Sequence, residues 1–262
     1  MRRTLTFVLV SLVMSLTASA VQAETLGIVM VHGKQGRGEQ FAALADTFDQ
    51  IGWLTERPDM CWSRTRIYDR GYLDCLTDID AAIARLKQRG ATDIVLIGMS
   101  LGANGALGYG ARHDNVAGII ALAPAHAPQF ISRRPDVAES LQRARQLIAQ
   151  GRGDEKENFA DVNTGEGTSS FDFTVTTTAK IYESFFAPDS AAVMPVNAGR
   201  LKAPLLIVSG TNDPTQRGAR AIFEKVPPHA LNRFVSVNAT HMGTPAAGLE
   251  TMTSWIRELA SR

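Results

Sequence analysis

The chain has 262 residues, 45% of them hydrophobic and 20% charged, with 27 Lys plus Arg against 26 Asp plus Glu. That balance excludes a strongly cationic surface for nucleic acid or an anionic membrane. The 22 Gly and 11 Pro exclude a collagen-like or disordered polymer, and the length suits one large domain or two small ones with a core that needs no disulfide.

The first residues read as an address. Arg2 and Arg3 precede an apolar run from Leu5 to Leu16, and Ala18-Ser19-Ala20 and Val21-Gln22-Ala23 offer small-residue cleavage sites. These features predict a secretory signal peptide over residues 1–23 and a mature chain starting at Glu24. The run is shorter than the roughly 20 residues of a spanning helix, so no stable membrane anchor is expected after cleavage. Cleavage removes two arginines and no acid, taking the formal charge from +1 to −1. The expected location is the periplasm or outside the cell.

Export bears on Cys61 and Cys75, the only two cysteines. In an oxidising compartment they are expected to form one disulfide, worth about 3 kcal/mol for a loop of about 15 residues. The five histidines, His32, His113, His126, His229 and His241, show no H-x-x-H spacing. No metal site is therefore expected.

Along the mature chain, apolar strand patterns alternate with amphipathic helix patterns. Leu26–Val31 reads as a strand buried on both faces, followed by a helix through Phe41, Leu44 and Phe48. Trp53–Arg57 follows as a strand, and Leu73 to Leu86 as one long helix ending before Gly90. Asp93–Ile97 is a strand, Ala103–Ala111 a helix of small residues, and Val116–Leu122 a strand. Residues from about 125 to 201 show no buried strand, only helix patterns through Val137–Ile148 and Ile181–Phe186 around a polar, glycine-rich stretch. So long a segment between sheet strands predicts a helical cap or lid. The last elements are a strand at Leu205–Ser209, a helix at Arg220–Val226, a strand at Phe234–Val237 and a helix at Ala246–Leu259. The fold class is α/β: one domain over residues 24–262, a mostly parallel sheet of about six strands, helices on both faces and the insertion at about 125–201.

Gly98-Met99-Ser100-Leu101-Gly102 fits G-x-S-x-G between a strand and a helix. There the serine hydroxyl stands above the sheet's carboxyl edge, and Gly98 and Gly102 relieve crowding at the sharp turn. A serine nucleophile needs a base, and the base an orienting acid. Asp213 follows the Leu205–Ser209 strand and His241 follows the Phe234–Val237 strand, so all three can converge on one crevice. His126 is the rival base, but its place before Pro128 suits a substrate or lid contact better. For the oxyanion, one donor is the N–H of Leu101 and the other that of Lys34, or failing that Gln35, in the glycine loop after the first strand. The Lys34 side chain is expected at the crevice mouth or in solvent.

The loop Asp59–Gly71 carries Trp62 and Arg64, which could shape the pocket, the arginine binding an anionic group or joining Arg66 and Arg70 in surface pairs. The aromatic residues Phe171, Phe173, Tyr182, Phe185 and Phe186 could face the substrate or hold the insertion down.

Taken together, the His32-Gly33 turn, the Gly98–Gly102 elbow, Asp213 and His241 make the chain resemble the α/β-hydrolase superfamily over most of Leu26–Leu259. The resemblance implies Ser100 as nucleophile, no cofactor, and acyl chemistry on a small-molecule ester in the manner of carboxylesterases and lipases. The chain departs from the family in lacking an antiparallel hairpin before the first buried strand and a His-Gly-Gly-Gly run. Other readings are a peptidase or acyltransferase with the same three residues, and a binding module that keeps the fold without turnover.

Overall fold

The computed structural model describes residues 25–163 and 171–262. The signal-peptide segment lies outside the described residues.

In chain order, β1 (Leu26–Val31) leads through a short 3₁₀ turn to α1 (Ala42–Gln50), β2 (Leu54–Glu56), α2 (Tyr72–Cys75), α3 (Thr77–Gln88), β3 (Asp93–Met99), α4 (Leu101–Gly110) and β4 (Gly118–Leu122). The insertion follows: α5 (Pro128–Ile131), α6 (Pro135–Ala149), β5 (Lys156–Asn163), β6 (Phe171–Thr178), α7 (Ala179–Phe186) and α8 (Met194–Ala198). The chain then returns through β7 (Leu205–Gly210), α9 (Gln216–Phe223), β8 (Arg233–Val237), α10 (Thr244–Ala247) and α11 (Leu249–Ala260).

The main sheet has the order β2-β1-β3-β4-β7-β8, with every pairing parallel. Its composition follows its position. β1, β4 and β7 are buried at every residue, whereas the edge strands β2 and β8 are only partly covered. Because strand side chains alternate, one sequence feeds two cores. Ile28, Met30, Val95 and Ile97 pack with Phe41, Phe48, Trp255 and Ile256 on the face covered by α1 and α11. Val29, Val31, Leu96 and Ile119 point the other way, toward α3, α4 and the insertion.

Two expectations need correction. The cap is not purely helical: β5 and β6 form an antiparallel hairpin. Phe171–Thr178 alternates aromatic or β-branched residues with polar ones, the pattern of a strand with one solvated face, and so lacks the continuous apolar run of a buried parallel strand. The long helix through Leu73 is also two helices, with Leu76 between α2 and α3. The other sheet strands and flanking helices lie within a few residues of their expected bounds.

Candidate functional site

The serine sits on a strained corner. Ser100, between β3 and α4, has φ +55° and ψ −119°, a conformation a non-glycine residue holds only when its surroundings impose it. Its N–H donates to Leu122 O at 3.0 Å, and its carbonyl accepts from Ala103 and Asn104. The glycines on either side are sterically required. A Cβ on Gly102 would lie 1.9 Å from Val31 O, and one on Gly98 2.2 Å from Gly102 O. Leu101 N–H, at the first position of α4, belongs to the helix-end donors that have no intrahelical acceptor.

Parallel pairing brings the ends of β3, β7 and β8 to one edge of the sheet. Asp213 and His241 meet there: His241 Nδ1 lies 2.8 Å from Asp213 Oδ2, and both residues are buried. Thr215 donates its N–H and its hydroxyl to Asp213 Oδ1, each at 2.8 Å. An ionised carboxylate only accepts, so Nδ1 carries the imidazole proton and Nε2 is left as the basic nitrogen. The two loops are themselves stitched together by Thr211 N–H to Val237 O and Asn212 N–H to Ala239 O. Burial pushes the Asp213 carboxyl upward, but the bonds from His241 and Thr215 outweigh it and hold it below the ordinary carboxylate range.

The glycine loop after β1 abuts the serine. A Cβ on Gly33 would stand 3.3 Å from that of Ser100, close enough that a side chain there would press on the nucleophile. His32, buried before it, accepts Met60 N–H on Nε2 at 2.9 Å and donates from Nδ1 to Gly33 O at 2.7 Å, while burial lowers its pKa. Gly33 N–H is bound by Gln40 Oε1, and Gln35 N–H by Trp62 O at 3.0 Å, which removes Gln35 as an oxyanion donor. Lys34 therefore stays the candidate on this loop. Its side chain is neither at the crevice mouth nor in solvent: the ammonium is buried against the cap, on Asp161 Oδ1 and on Val162 O at 2.7 Å.

Trp62 is a core residue and not a wall of the crevice. It is fully buried, its indole N–H donates to His32 O at 3.0 Å, and its ring packs edge-on to Phe185. Arg64 is exposed, and only its backbone N–H is tied to the site loop, by a 3.4 Å bond to Gly36 O. Arg66 and Arg70 pair on the surface with Asp69 and Asp78. Cys61 and Cys75 are joined by a disulfide, with Cα atoms 5.5 Å apart, which clips this loop to α2.

His126 is buried and is held by the cap. Its Nε2 is 2.9 Å from Phe185 O, and its ring packs edge-on to Phe186. Burial, and after it the Lys34 charge, lower its pKa to about 3, which makes it a poor proton acceptor and favours His241 as the base. It also lines an open groove of about 720 Å³ between α5, α8 and α9. Ile131, Met194 and Ile222 form apolar walls, Phe130 stands exposed among the lining residues, and among the described residues Arg217 is the only charged one in the lining. The groove borders the polar pair through Pro214 and Thr215, and the serine through Ala125, whose N–H donates to Ser100 O at 3.3 Å.

Sequence spacing did not reveal Asn104 or Asp161, and it offered Tyr68 only as one residue of the Asp59–Gly71 loop. Asn104 is buried in α4, where Nδ2 donates to His126 O and Ala192 O and Oδ1 accepts from Tyr72 OH. An asparagine inside an otherwise Gly/Ala-rich apolar helix was the available signal. For Asp161, a lone acid between Phe159 and Val162, none stood out.

Among the described residues no group of three or more His, Cys, Asp or Glu is placed to hold a metal, and no helix is long and apolar enough to cross a membrane. No curated protein sequence matches the chain at a significant level. Solved structures do. A monoacylglycerol lipase from Paleococcus ferrophilus superposes with TM-score 0.63 at 21% identity, over 91% of this chain and 96% of its own. A carboxyl esterase from Bacillus coagulans gives 0.66 at 16% identity over 92% of each chain. Est1E from Butyrivibrio proteoclasticus, solved with ferulic acid bound, gives 0.62 at 18% identity over 93% of each. These likenesses establish the fold. The family model described as "Serine aminopeptidase, S33" matches residues 23–242. Because that match runs from the first strand through the serine corner to the histidine loop, the chain belongs to the S33 serine aminopeptidase family within the α/β-hydrolase superfamily.

Proposed function

We propose that this protein is an exported serine hydrolase that cleaves esters of apolar acyl groups through an acyl-enzyme. The observation that carries the reading is a strained serine corner beside a glycine loop, on the same sheet edge as a buried, hydrogen-bonded Asp213–His241 pair. Ser100 Oγ attacks the ester carbonyl while His241 Nε2 takes its proton and passes it to the departing alcohol. A water then attacks the acyl-enzyme by the same route, its proton going to His241 and on to Ser100 as the acid leaves. Asp213 holds the tautomer and stabilises the imidazolium, and the N–H groups of Leu101 and Lys34 receive the oxyanion. No cofactor enters this scheme.

The groove favours an ester over an aminopeptide. Release of an N-terminal residue calls for a carboxylate to receive the substrate ammonium, yet no Asp or Glu lines the groove. Among the described residues the two buried acids, Asp161 and Asp213, are already engaged by Lys34 and His241. Apolar walls of this volume fit an aliphatic or aromatic acyl chain. The disulfide supports an oxidising compartment.

Treating the protein with a fluorophosphonate, with Ser100→Ala as control, tests the reading. The expected results are one adduct on Ser100, a burst of p-nitrophenol from p-nitrophenyl esters, and slow turnover of aminoacyl p-nitroanilides. A folded protein without the adduct would favour a binding module, and faster anilide cleavage would favour a peptidase.

A further inference from the structure

We propose that Asp161, on the cap hairpin, is a positioning residue for the oxyanion loop, acting through the buried ammonium of Lys34. This rests on the serine-hydrolase reading above.

Lys34 lies between Gly33, which abuts Ser100, and Gln35, whose N–H is fixed to Trp62 O. Its side chain is 8% exposed, and its ammonium meets Asp161 Oδ1, Val162 O and, at 5.6 Å, the face of Phe186. Asp161 is completely buried. Its Oδ1 also accepts from Val162 N–H at 2.7 Å, and its Oδ2 accepts from Tyr68 OH at 3.1 Å. Tyr68, at φ +53°, brings in the disulfide-clipped loop, and its own carbonyl accepts from Thr177 of β6 at 2.8 Å. One carboxylate thus gathers the oxyanion loop, the Asp59–Gly71 loop and the cap.

A buried ion pair is a poor way to gain stability, because desolvation offsets most of its attraction and an apolar pair would hold the fold as well. It does supply direction. The ammonium is anchored on Asp161 and Val162 O, and that anchor biases the backbone of Lys34 between Gly33 and Gln35, the stretch proposed to supply the oxyanion donor. Oxyanion donors must sit within a few tenths of an ångström of their target to be effective. The cap is accordingly a fixed wall: swinging it away would break the buried Lys34–Asp161 pair.

The test uses Asp161→Asn, Asp161→Glu and the double variant Lys34→Met/Asp161→Leu. It measures kcat and KM on p-nitrophenyl butyrate, inhibition by an alkylboronic acid, which forms a tetrahedral adduct with the serine, and thermal midpoint. Asp161→Asn is expected to lower kcat roughly 10- to 100-fold and weaken the boronic acid in proportion, with KM within about twofold. Asp161→Glu recovers part of that loss. The double variant regains the thermal midpoint, both charges being gone, but not kcat. Wild-type kcat and boronate inhibition in folded Asp161→Asn, or full recovery of kcat in the double variant, would assign the pair to folding alone and overturn the proposal. A wild-type protein that does not label at Ser100 is a separate result, which removes the serine-hydrolase reading and this proposal with it.

Discussion

Replacing His126 by Asn should flatten the loss of stability on mild acidification. In the folded chain burial and the Lys34 charge hold this imidazole neutral down to a pKa of about 3, whereas the unfolded chain has a pKa near 6.5. Between these values the unfolded state binds a proton that the folded state does not, so stability is complete above about pH 6.5 and falls as pH drops toward 3. From pH 7.5 to 5.0 the difference is about 2 kcal/mol, taking 1.36 kcal/mol per pH unit over the window below 6.5. For a domain of this size that corresponds to about 4–8 °C in thermal midpoint. Asn suits the position because residue 126 has φ +64°, a region Asn tolerates. The variant will be less stable at every pH, since the bond to Phe185 O is lost, so the test is the slope. Urea unfolding at pH 7.5, 6.0 and 5.0 should show the wild type losing about 2 kcal/mol more than the variant. Identical slopes would mean that His126 is protonated in the folded chain, and the buried, neutral imidazole described above would be wrong.

Asp213→Asn should keep the fold but lower kcat by about 10⁴-fold on p-nitrophenyl esters, because an amide stabilises imidazolium poorly and permits the wrong tautomer; a loss under tenfold would remove Asp213 from the mechanism. Gly218→Leu should shorten acyl preference. Gly218 lines the groove, and a Cβ there meets nothing within 4 Å, so kcat/KM on p-nitrophenyl octanoate should fall at least tenfold while the acetate is spared. Helix propensity should leave the thermal midpoint equal or higher, and equal effects on both esters would place the acyl chain elsewhere. Intact-mass analysis after alkylation should show two adducts only when a reductant is present, and Cys61→Ala/Cys75→Ala should cost about 3 kcal/mol in urea unfolding. Alkylation of the native chain without reductant would refute the disulfide.

The parts legible in the sequence are those where one local rule decides. A strand buried on both faces reads as a nearly continuous apolar run, which marks Leu26–Val31 and Leu205–Ser209 directly. Parallel strands with short exits then place Ser100, Asp213 and His241 on one edge before any distance is known. What escapes is set by tertiary partners. Trp62 looks like a pocket residue until His32 O and the small helix α4 enclose it. The Lys34 side chain looks solvent-bound until a carboxylate 127 positions away closes over it. The hairpin escaped because its strands face solvent on one side, and so carry alternation without an apolar run.

Helix α4 is buried along its whole length, with the sheet on one flank and Trp62 and Tyr72 pressed against its glycines on the other. An ordinary surface helix can yield outward when a neighbour grows. This one has no outward side, so the height of Ser100 above the strands is fixed by contact on both flanks. Variation that retunes substrate choice is thereby channelled into the rims, α5, α8 and α9, while the post that carries the hydroxyl must stay nearly unchanged in volume.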